Sequence, residues 1–357
     1  MMMSLIQNKK ILICSGSGGV GKTTVSAAIA LEAAKRGKKV VVLTIDPAKR
    51  LATAMGLKSL DSIPRQVPGV SGKLFAMMLD TKRTFDRLIE RYTSDPSRRK
   101  SIFENRLYQH MSSMIAGSQE YMAMEKLYEL YQEGGYDLLV LDTPPTRHAL
   151  DFLEAPGKMA NLTGNSLLHW FLKPGLFAGR IGAGMFQKGA EKILSVFDRL
   201  AGFSFLYELS EMISLLSDLL GGFHDRSRAV SQLLKKDFVG FLLVTTPSSV
   251  AIQDALYFHQ KIKESKLPFL GFIVNRVHEF YKKDVSSGRL VSSLPPPLRA
   301  KVLSELENYE RLSLQDQGVV DLLKKMGGKK IFSIPFFMTD VHDLGGLERM
   351  NNSLFKS

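Results

Sequence analysis

The chain has 357 residues, 45% of them hydrophobic, enough to bury a large core as one α/β domain or as a domain with an insertion. Its single cysteine, Cys14, excludes an intrachain disulfide framework and any metal or iron–sulfur site that needs two thiolates from one subunit, and it fits a reducing cytoplasm. The net charge of +13 is spread along the sequence. Its one local concentration (Lys82, Arg83, Arg87, Arg91, Arg98, Arg99, Lys100 and Arg106) lacks the interleaved aromatics of a single-strand binder and reads as a solvated helical face, which argues against nucleic acid.

Residues 1–10 hold no apolar signal core, and the first apolar run leads straight into a glycine loop, as a strand does. Apolar runs rich in β-branched residues then alternate with helical patterns. The expected strands are Lys10–Cys14, Val40–Ile45, Leu74–Leu79, Asp137–Leu141, Val239–Val244, Phe269–Val274 and Lys330–Ile334. Helices are expected at Thr23–Arg36, Val250–Glu264 and Gly346–Phe355. This alternation predicts an α/β fold, a mostly parallel sheet with helices on both faces.

Two stretches break the pattern. Residues 81–133 and 157–236 carry helical signals and no strand signal. Ile193, Leu194, Phe197, Leu200 and Ala201 fall on one helical face, and so do Leu206, Leu209, Ile213, Leu216 and Leu220. Residues 1–156 plus 237–357 therefore read as a nucleotide-binding core, and the two insertions as an α-helical subdomain. Pro295–Pro297 reads as a local turn or loop stiffener. No run of about 18 apolar residues occurs, so no membrane span is expected.

The segment Gly16-Ser17-Gly18-Gly19-Val20-Gly21-Lys22-Thr23-Thr24 fits G-x-x-x-x-G-K-[ST] between a strand and a helix, the context the P-loop requires. Its glycines let successive backbone N–H groups point at a β-phosphate, helped by the helix N-terminus. Lys22 neutralises β/γ-phosphate charge, and the Thr23 hydroxyl is a magnesium ligand. Asp142 ends an apolar strand at the carboxyl edge of the sheet, where a carboxylate reaches the metal's hydration shell; the alternative is a helix cap or turn. Asp46 ends another strand and is placed to act on an attacking water or near the metal, against the alternative of a turn-forming Asp-Pro.

These motifs, with Asp46-Pro47-Ala48 and Asp142-Thr143-Pro144-Pro145-Thr146-Arg147-His148, resemble the ArsA family of P-loop ATPases. That family includes the arsenite-pump ATPase and the ATPase that targets tail-anchored membrane proteins. The resemblance implies ATP and Mg²⁺ as cofactors, with Asp46 as the water-activating residue and Asp142 on magnesium. It makes Thr143 to His148 the switch II segment that relays nucleotide state. Val274-Asn275-Arg276 is similar to the family's adenine-recognition strand end, which implies Asn275 on the base edge. It also implies a homodimer, or a heterodimer with a related ATPase, that engages a hydrophobic client or membrane-associated protein.

Three departures qualify it. Ser17 stands where the family pattern has a lysine that crosses the dimer interface, so turnover by this chain alone is expected to be slow. The paired zinc-binding cysteines and the metalloid-binding cysteine trio are both absent. Trp170, Phe171, Leu172, Leu176, Phe177, Met185 and Phe186 sit among glycines, which suits either a surface for apolar partners or an ordinary helical core. A positioning ATPase of the MinD or ParA type, acting at a membrane or nucleoid surface, is the other reading; it looks to the weak apolar face of the C-terminal segment.

Overall fold

A computed structural model describes residues 2–46, 50–105, 108–109, 119–143, 222, 225–280, 291–327 and 330–355. Its elements in order are α1 (Met2–Ile6), β1 (Ile11–Ser15), α2 (Lys22–Lys35), β2 (Lys39–Thr44), α3 (Arg50–Ala54), β3 (Arg65–Gln66), β4 (Lys73–Met78), α4 (Thr81–Tyr92), α5 (Pro96–Glu104), α6 (Gln119–Glu133) and β5 (Leu138–Asp142). They continue with β6 (Val239–Thr245), α7 (Ser249–Glu264), β7 (Phe269–Val277), α8 (Pro296–Gly327), β8 (Ile331–Pro335) and α9 (Leu344–Phe355). Residues 225–234 are also helical.

The eight strands form one sheet in the order β3-β4-β2-β5-β1-β6-β7-β8, parallel throughout except for the antiparallel β3 edge. Each of the central strands β1, β5 and β6 is buried along its whole length, because helices cover both faces of a parallel sheet. That is why these strands appear in sequence as unbroken apolar runs. The chain leaves β1 toward β2 on one side and β6 toward β7 on the other. The carboxyl ends of β1 and β6 thus form the switch point at which open α/β sheets bind ligands.

Alanines at 27, 28, 30, 33 and 34 leave α2 thin, so it lies deep in the core. On it packs α9, through Leu347, Met350 and Leu354, with Asn351 Nδ2 donating to the Ala28 carbonyl at 2.8 Å. The apolar face of the C-terminal helix is therefore spent inside the fold. The expectation of a turn at Pro295–Pro297 is corrected: Pro296 and Pro297 open the 32-residue helix α8. The first turn of a helix needs no N–H from its residues, so proline starts a helix there without cost.

The chain divides into two compact units. The first comprises Met1–Met78, Leu130–Leu150 and Leu234–Ser357, and contains the sheet; the second comprises Leu79–Glu129 and Asp151–Leu233. In the second, Asp80 and Asp95 cap α4 and α5 by accepting the N–H groups of Arg83 and Ser97, each at 2.9 Å. Met122 and Met124 are buried there. Much of the basic concentration is locally paired: Lys82 with Asp86, Arg87 with Glu129, Lys100 with Glu104, and Arg99 with the Thr93 carbonyl. Among the described residues no helix is long and apolar enough to cross a membrane.

Candidate nucleotide site

The P-loop runs from the end of β1 into α2. At its start, a Cβ on Gly16 would lie 2.1 Å from the Val244 carbonyl oxygen, so only glycine lets the loop pass over the end of β6. At its end Gly21 takes φ +93° and caps α2 with no side-chain bond. The first-turn N–H groups of α2, which follow directly on the loop, have no intrahelical acceptors, the arrangement that receives an anion. Lys22 is buried, and its ammonium donates to the Ser17 carbonyl at 2.8 Å. Burial lowers its pKa, and the carboxylates of Asp142 and Asp46 pull it back up, with Arg50 opposing them.

Asp142 is the centre of the site. It is 1% exposed at the end of β5. Thr23 Oγ1 donates to its Oδ2 at 2.7 Å and Thr44 Oγ1 to the same oxygen at 2.9 Å. The other oxygen, Oδ1, is buried with no hydrogen-bond partner among the described residues. Burial pushes this carboxyl up to about 6 against those two hydrogen bonds and the Lys22 charge. A buried carboxylate oxygen with no donor costs free energy unless a cation meets it. The pair of Thr23 and Asp142 therefore fits a hard divalent cation with oxygen ligands.

Asp46 stands two residues past β2, its N–H donating to Thr44 Oγ1 at 3.2 Å. Its carboxylate lies 3.6 Å from the Arg50 guanidinium, which is largely exposed. Thr44, which sequence reasoning passed over, thus joins Asp46 to Asp142; only the register of β2 beside β5, with Thr44 opposite Asp142, reveals it. Thr143 follows Asp142 and is pinned to β1, its hydroxyl donating to the Cys14 carbonyl at 2.9 Å. Pro144, Pro145, Thr146, Arg147 and His148 lie outside the described residues, as does the Trp170 region.

Asn275 sits where the β7–β8 register shifts, between Val274 and Val277. Arg276 takes φ +62°, uncommon for a residue with a side chain, and the shift aims Asn275 at the P-loop. Its amide donates to the Val20 carbonyl at 2.9 Å and its oxygen accepts the Arg276 N–H at 3.0 Å. Asn275 therefore ties the loop to β7. Beside it opens a pocket of about 730 Å³ lined by Gly21, Thr24, Arg50, Asn275, Pro335 and Phe336, among others.

Residues 9–309 match the family profile described as Anion-transporting ATPase. The chain belongs to this ArsA family. An ATPase ASNA1 homolog of Babesia bovis is 28% identical over 77% of this chain and 69% of its own length. A protein of Aquifex aeolicus (strain VF5), provisionally named as an arsenical pump-driving ATPase, is 23% identical over 97% of this chain and 78% of its own. An ATPase GET3 of Malassezia globosa is 33% identical over 41% of this chain and 42% of its own. In this ArsA-family chain Cys14 is buried in β1, and burial pushes its thiol up to about 12. It is a small core residue, unsuited to act as a thiolate ligand.

Proposed function

We propose that this ArsA-family chain binds Mg·ATP at the P-loop, hydrolyses it slowly, and uses the change to switch the helical second unit, which engages a hydrophobic client. The observation that carries this reading is the convergence of the Thr23 and Thr44 hydroxyls on one oxygen of buried Asp142 while its other oxygen lacks a partner. Thr23 and Asp142 would hold a magnesium ion, which would supply charge neutralisation to the bound phosphates.

The chain's own residues do the rest. Lys22 and the first-turn N–H groups of α2 hold the phosphates in place, because phosphoryl transfer is mainly positioning and charge stabilisation. Asp46, on a backbone anchored by Thr44, orients the attacking water. Thr143, anchored on β1, begins the segment that runs on through His148 and enters the second unit at Asp151, a direct covalent path for nucleotide state. Differential contacts of Asp46 and this segment with the γ-phosphate supply the two-state bias such a switch needs.

The site works in a homodimer or in a heterodimer with a related ATPase. Ser17 provides no charge to a partner's nucleotide, which is the reason for slow turnover alone. A cytoplasmic setting suits the single buried thiol. The membrane form of the positioning-ATPase reading would draw on the apolar face of α9, and that face is buried on α2.

Asp46→Asn is the test of the chemistry. An amide is a poor water orienter, and the variant is expected to bind ATP with wild-type affinity while phosphate release falls about 10²-fold or more. A phosphate-release rate near wild type would return Asp46 to the role of a turn residue.

A further inference from the structure

The ring of Phe336 borders the nucleotide pocket, is 44% exposed, and is therefore not held in place by enclosure. One face is covered by the imidazole of His278, stacked at 5.2 Å between centroids and 20° between planes. Its backbone is fixed as well, the Phe336 N–H donating to the Val277 carbonyl at 2.9 Å. His278 in turn is gripped by the long helix α8. One oxygen of Asp316, Oδ2, accepts both the His278 backbone N–H and its ring Nδ1–H, each at 2.8 Å. The ring of Tyr309 meets the imidazole edge-on at 5.4 Å and 81°, and Ser313 Oγ donates to the Glu279 carbonyl at 3.0 Å. Tyr309, Ser313 and Asp316 are spaced i, i+4, i+7, one stripe of α8 turned to the end of β7.

We propose that His278, locked by Asp316, is a positioning residue that sets the Phe336 ring as a stacking wall for the nucleotide base, an inference that rests on the ATP-site reading above. A single aromatic ring at a pocket edge swings; a ring backed by a second, hydrogen-bonded ring presents a fixed π face, and aromatic stacking depends on ring geometry. Placing the clamp on α8 also makes the tilt of that helix a determinant of base affinity. The phosphate end has no share in this, because its contacts come from the P-loop, Thr23 and Asp142.

The test compares calorimetric affinities for Mg·ATP and for magnesium tripolyphosphate, which carries the phosphates without a base. His278→Ala is expected to weaken ATP binding about 2- to 12-fold, the range of one aromatic pair, and to leave tripolyphosphate binding unchanged. Asp316→Ala should act in the same direction. His278→Phe, which restores a ring behind Phe336, should recover most of the loss and guards against misfolding of the alanine variant. Unchanged ATP affinity in His278→Ala, or an equal loss for both ligands, would overturn the positioning role. ATP binding indifferent to Lys22→Ala would instead overturn the site assignment beneath it.

Discussion

Lys22→Ala is expected to weaken ATP binding by at least about 100-fold, the loss of one or two charge-assisted hydrogen bonds to phosphate in a buried site. The ammonium is buried beside Asp142 and Asp46 and is held at 2.8 Å by the Ser17 carbonyl, so it enters the phosphate cradle already ordered. Ordering before binding lowers the entropy lost when the ligand arrives. The same charge is one of the influences opposing the upward shift of the Asp142 carboxyl, so its removal also favours the protonated form of Asp142. Isothermal titration with Mg·ATP measures the change directly. An affinity within a few-fold of wild type would remove the P-loop from the mechanism.

Glu125→Ala is expected to cost the second unit about 3–5 kcal/mol, the usual loss when one partner of a buried ion pair is deleted. Arg226 and Glu125 are 8% and 1% exposed. The guanidinium Nε donates to both carboxylate oxygens, at 2.8 and 2.9 Å, while its Cζ lies 4.0 Å from the centre of the Tyr128 ring. Deleting the carboxylate strands a buried cation against the Tyr128 ring; Glu125→Gln keeps the shape and one acceptor and should lose less. Urea unfolding with hydrogen exchange across residues 119–129 reads the effect. Equal stability of wild type and Glu125→Ala would mean that this pair does not hold α6 to residues 225–233.

The sheet was legible because its strands are buried on both faces, which leaves no choice but continuous apolar runs. Every expected strand is present, most shifted by about one residue. The edge strand Arg65–Gln66 was not legible: it is two exposed residues long and exists through its antiparallel pairing with β4. Nor was α8, whose opening prolines mimic a loop and whose surface carries Leu303, Leu314 and Leu322 exposed, which blurs its periodicity. At the site, the P-loop could be read because its spacing encodes a backbone shape. Asn275, expected on the base edge, borders the pocket, and its bonds to the Val20 carbonyl and the Arg276 N–H depend on a left-handed residue at 276 that no local pattern announces. Thr44 beside Asp142 and His278 against Asp316 are pairings across 98 and 38 residues, which register and helix packing create and no local pattern announces.

The proposal of a metal-dependent nucleotide site at Asp142 is tested most directly by titrating the full chain with ATP, with and without Mg²⁺, in wild type and in Asp142→Asn. The unpartnered Oδ1 and the Thr23 hydroxyl on Oδ2 predict that Mg²⁺ tightens ATP binding in wild type and that Asp142→Asn loses this tightening while keeping the metal-free affinity. ATP binding that ignores both Mg²⁺ and the substitution would contradict it.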